Sequence, residues 1–170
     1  MTSPAARPLT SAPPHVDRPA ADALAAANIN PRTGLATDYL NHFNEAIMLL
    51  EMVSDLPECA ADFLEWRPLS YREHFSASNL KARDLAVAAY EHADTAVRHE
   101  FDRITSTMTA ILVAVGAALR EAPSEAIQAA LARQAADWAK PLAILAAGII
   151  NGSSGAAEPD IDSIMMQEFP

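Results

Sequence analysis

The chain has 170 residues, about one domain's worth, and its 51% hydrophobic content excludes a wholly disordered polypeptide. Aromatics are only 6%, so Ala, Leu and Ile do most of the packing. Twelve Lys+Arg against 22 Asp+Glu give a net charge of −10, which repels phosphate backbones and argues against nucleic acid as a partner. The single cysteine rules out an intrachain disulfide, and five glycines are too few for a glycine-rich phosphate cradle.

Residues 1–33 carry six of the twelve prolines among Ala, Ser and Thr. Proline removes a backbone donor and fixes φ, so this spacing predicts a disordered arm, with no more than a turn or two of helix over 21–27. A basic start followed by an uninterrupted apolar run is missing, so no secretory signal is expected.

From Gly34 the apolar positions fall at helical spacing. Leu35, Tyr39, His42, Ala46, Leu49 and Val53 make one stripe, and Ala36, Leu40, Phe43, Ile47 and Leu50 make its neighbour. Leu56-Pro57 ends this helix, because a residue before proline is pushed out of the α region. A short segment over 58–66 ends the same way at Arg67-Pro68. Ser70-Tyr-Arg-Glu73 then reads as a capping box, and Ser76-Ala-Ser-Asn79 as an interruption before helix resumes over 80–93.

Asp94 is placed to cap a helix over 95–121, with a stripe of Val97, Phe101, Ile104, Met108, Ile111/Leu112, Val115 and Leu119. Ser124 caps the next, where Ile127, Leu131, Ala135, Trp138, Leu142, Leu145 and Ile149 predict the buried face. Pro141 is expected to kink it. So short a turn at 122–124 makes the two long helices an antiparallel hairpin. The whole reads as all-α: an antiparallel four- to five-helix bundle over 34–150, between a loose arm (1–33) and a flexible C-terminal linker with a short amphipathic helix (151–170).

Ile104–Leu119 carries no charge but is shorter than the ~20 apolar residues a bilayer span needs, and the 141–157 stretch is broken by Asn151-Gly-Ser-Ser-Gly155. Core helices are expected, and integral membrane insertion is not. Beyond the linker, Ile161, Ile164, Met165 and Phe169 share one helical face, which suits docking in a groove on this bundle or on a partner.

For chemistry, His42-Phe-Asn-Glu45 and His99-Glu-Phe-Asp102 each place an imidazole and a carboxylate one turn apart. Di-metal bundles draw ligands from facing helices, usually in the opposite order, Glu-x-x-His. A ferritin-like site for Fe, Mn or Zn built from His42, Glu45, His74, His99 and Asp102 is thus one reading, and a core histidine is the plainer one. Cys59 lies beside Glu58 and reads as an inert packed thiol. Trp66, Tyr71 and Phe75 cluster at a helix break, as a pocket edge or as a corner plug.

The run Thr33-Gly-Leu-Ala-Thr-Asp-Tyr-Leu-Asn-His-Phe-Asn-Glu45, with Met48-Leu-Leu-Glu-Met52 and Trp66-Arg-Pro-Leu-Ser-Tyr71-Arg-Glu-His-Phe75, resembles a family of small α-helical proteobacterial proteins without an assigned activity. The resemblance spans about residues 33–105. It implies a bacterial, cytoplasmic setting and contributes no catalytic residues. The expectation is a non-enzymatic interaction or regulatory protein, binding a protein partner or a second copy of itself. The alternatives are the metal-binding bundle and a helical protein coating a lipid or storage-granule surface.

Overall fold

The structure is a computed structural model that describes residues 21–153. Over them the chain is all-helical: α1 (Ala21–Ala26), α2 (Asp38–Met52), α3 (Cys59–Glu65), α4 (Tyr71–Ala77), α5 (Arg83–Glu91), α6 (Thr95–Glu121) and α7 (Glu125–Ile150). The only β-type pairing among the described residues is an isolated bridge between Ile29 and Ala36.

The helix boundaries follow local chemistry. The Ser70 side chain accepts from the Glu73 amide at 3.3 Å, and the Glu73 carboxylate accepts from the Ser70 amide at 2.8 Å, so the capping box is complete. Asp94 accepts from the amides of Ala96 and Val97 at 2.9 and 3.1 Å, satisfying two of the donors that a helix start leaves open. Ser124 accepts from the Ile127 amide at 3.4 Å. The 70–93 region splits into α4 and α5, as its serines and asparagine suggest.

The long helices α6 and α7 pack along each other in antiparallel fashion, and α2 lies against α7. Around them α3 touches α2 and α6, α4 pairs with α5 and reaches α2, and α1 rests on α5. Phe43, Phe75, Phe101, Met108, Leu112 and Leu119 are wholly enclosed at the centre. The stripe predicted for α6 is the one that turns inward, from Phe101 to Leu119.

Two expectations need correcting. Residues 21–33 are not a loose arm. Leu24, Ile29 and Thr33 are buried, and the Thr33 hydroxyl donates to the carbonyl of Ile150 at 2.7 Å. The Arg32 guanidinium donates to the Gly152 carbonyl at 3.0 Å, so this segment satisfies the C-terminal end of α7. Gly34 then turns the chain at φ +71, and a Cβ there would stand 2.7 Å from the Ala89 carbonyl oxygen. That turn is why α2 begins at Asp38 and not at Gly34. Residues 1–20 lie outside the described residues.

The second correction concerns the buried face of α7, a helix that spans Glu125–Ile150 with Pro141 inside it. Its buried face is the alanine row Ala132, Ala135, Ala136, Ala139 and Ala146 with Ile149 and Ile150. Trp138 is 59% exposed, Leu145 54% and Ile127 43%. A helix pressed between two neighbours, α6 and α2, needs small residues where the backbones approach. Of the predicted stripe, Ala135 and Ile149 are buried, Leu131 and Leu142 are half-buried against the core, and Ile127, Trp138 and Leu145 face outward.

Candidate interaction surface

Three sites take shape on this scaffold: an aromatic corner, a groove between α2 and α7, and a groove between α6 and α7.

The corner forms where α2 meets the α3–α4 break. The His42 ring stacks on Trp66 at 4.8 Å and 25°, and the His74 ring centroid lies 5.9 Å from that of His42. Tyr39, Tyr71 and Phe75 complete it, with the Tyr39 and Tyr71 centroids 5.1 Å apart. The Trp66 indole N–H donates to the His42 backbone carbonyl at 3.0 Å. Burial holds the His42 imidazole below its usual range, helped by the neighbouring His74, and a backbone hydrogen bond at Arg67 acts against this. Burial likewise lowers His74, opposed by the Asp38 carboxylate. Among the described residues, the buried His42 Nε2 has no hydrogen-bond partner.

On the other side of Tyr39 a cleft of about 510 Å³ opens between the 68–73 segment, Tyr90 and α6. The hydroxyls of its three tyrosines are engaged within the fold. The Tyr39 hydroxyl donates to the Leu69 carbonyl at 2.8 Å, and the Tyr71 hydroxyl accepts from the Ala36 amide at 2.9 Å. The Tyr90 hydroxyl lies 2.8 Å from both Asp102 carboxylate oxygens. Burial and the adjacent Asp102 push the Tyr90 phenol up to about 12, so it stays a neutral donor.

The predicted metal ligands divide. His42 and His74 meet, but Glu45 and His99 are exposed and Asp102 is held by Tyr90. Among the described residues no three His, Cys, Asp or Glu side chains converge as a metal ligand set. The order of residues in His42-x-x-Glu45 places the carboxylate off the apolar stripe, which is why the pair separates into one packed ring and one solvated acid. Trp66, Tyr71 and Phe75 do come together, as packing of the corner. Cys59 is buried, and desolvation with Asp62 and Glu58 raises its thiol.

The α2–α7 groove has a volume of about 490 Å³ and is lined by Leu40, Ile47, Ala143, Ile144 and Ala147, with the Glu51–Lys140 ion pair at one end. Ile144 on its lip is 72% exposed. The α6–α7 groove, about 470 Å³, is walled by Ala110, Ile111, Ala114 and Ala118 of α6 and by Leu131 and Trp138 of α7. Thr107 and Gln134 are the polar side chains along it. Periodicity had found these α7 residues but assigned them to the core, and only the position of α2 separates the two faces. Ile161, Ile164, Met165 and Phe169 lie outside the described residues.

Among the described residues α6 alone is long and apolar enough to cross a membrane, with 39% of its most apolar window buried. Compared with family models, curated proteins and solved structures, the chain matches none.

Proposed function

We propose that this chain is a non-enzymatic interaction protein, a helical bundle built on α2, α6 and α7 that binds through the apolar surface α7 turns outward. The observation that carries the reading is the exposure of Trp138, Ile144 and Leu145, large apolar side chains on a helix whose alanines fill the core. The tyrosines of the cleft support the same reading, since their hydroxyls tie α2, α4 and α5 to neighbouring segments and to Asp102.

Within this reading the C-terminal segment with Ile161, Ile164, Met165 and Phe169 docks in the α2–α7 groove of its own bundle. Reach favours that groove. Six residues, 154–159, separate it from Ser153, and a random coil of that length has a reach of roughly 12–15 Å. Ala147 to Lys140 lie about 6–16 Å from Asn151 along the helix axis, whereas Trp138 to Leu131 lie about 20–30 Å away.

A labelled peptide of residues 158–170 tests this, added to the full chain carrying Ile164→Asp and Phe169→Asp so that its own segment cannot compete. Saturable binding that Ile144→Glu weakens at least tenfold is expected. Absence of binding, or binding indifferent to Ile144→Glu, would contradict the reading.

A further inference from the structure

The α6–α7 face has a shape that matches itself. On α7, the exposed Ile127, Trp138 and Leu145 recur at helical spacing with the half-buried Leu131 and Leu142 between them, a ridge of large side chains about 27 Å long. Beside it on α6, Ala110, Ala114 and Ala118 leave a trough, and between Arg103 and Arg120 that helix carries no charge at all. Ridge and trough lie side by side on one chain, which is what an isologous two-fold interface requires: the same patch must present both the knob and the hole.

We propose that a second copy of this chain covers the face, the α7 ridge of each copy seated in the alanine trough of the other's α6. The four helices then pack as two antiparallel hairpins, and Trp138 is the central anchor, an aromatic of the kind that dominates such contacts. A face about 27 Å long and two helices wide removes roughly 500 Å² per copy, or about 1,000 Å² in total, the lower limit for a specific interface. An interface of that size suits reversible association.

A lipid surface fits less well. The trough is recessed, so a flat bilayer would leave it unfilled, and membrane-lying helices carry Lys and Arg along the polar edge. Here the ends of the α6 face hold the Glu100–Arg103 ion pair and the oppositely charged neighbours Arg120 and Glu121, on a chain of net charge −10. The proposal deepens the interaction reading by naming the partner of one face, and it fails independently of the tail, which was assigned the other groove.

Sedimentation equilibrium of the full chain across the micromolar range tests it. Twice the 18.1 kDa chain mass is expected at the upper concentrations, with dissociation on dilution. Ala114→Glu places a charge in the trough at an exposed position, and Trp138→Ala removes the anchor. Each is expected to give a monomer with an unchanged helical circular dichroism spectrum. Ile164→Asp with Phe169→Asp is expected to leave the dimer intact. A monomer at every concentration, a dimer that survives Ala114→Glu, loss of the dimer on changing the tail, or flotation of the monomer with phosphatidylglycerol vesicles would each overturn the proposal.

Discussion

Thr33 shows how much one hydroxyl can hold. It is buried, and it donates to a carbonyl at the end of α7 that has no helical partner. Thr33→Val keeps the shape and deletes the donor, leaving the Ile150 carbonyl buried and unpaired. A loss of about 1–2 kcal/mol in urea unfolding is expected. The histidine pair makes a second prediction at this scale. Both imidazoles sit below their ordinary 6.5, so on acidification the unfolded chain takes up protons before the folded one does. Stability is fully present above pH 6.5 and falls as the pH drops below it. His42→Phe retains stacking on Trp66 without a polar atom to bury, and it should flatten the slope of unfolding free energy against pH in that window.

The element that decides most is α7. Ala139 is wholly buried against its neighbours, while Trp138 beside it is 59% exposed. Ala139→Leu should therefore cost about 1–3 kcal/mol by overpacking, whereas Trp138→Ala should change stability by less than about 1 kcal/mol. A helix with the opposite facing would reverse the order, and thermal unfolding of the two variants distinguishes the cases. The sequence signalled α7 through its Ser124 cap and its uninterrupted apolar run, and α6 down to its buried stripe. It did not signal which of α7's apolar faces turns inward, because that depends on α2, which is distant in the chain. Residues 21–33 were hidden for the opposite reason. Prolines and alanines there resemble the start of the chain, and only the Gly34 turn against Ala89 folds Leu24 and Ile29 into the core. At the corner, Trp66, Tyr71 and Phe75 were legible as a cluster. The stacking of His42 on Trp66 was not, since it joins two segments across a break.

At the scale of the whole molecule, charge and apolar surface oppose one another. A chain of net charge −10 repels its own kind at long range, yet the α6–α7 face carries no charge between Arg103 and Arg120 on α6. Added salt should therefore strengthen self-association, because it screens the repulsion and leaves the apolar contact. Weakening of the dimer by salt in sedimentation runs would instead place ion pairs at its centre. The most direct measurement is the fluorescence of Trp138 in the full chain with Trp66→Phe, followed with acrylamide as quencher while the protein is diluted. The account predicts red-shifted, readily quenched emission in dilute protein, moving to blue-shifted and protected emission as concentration rises. Emission that is blue and protected at every concentration would place Trp138 inside its own chain and contradict the outward face of α7.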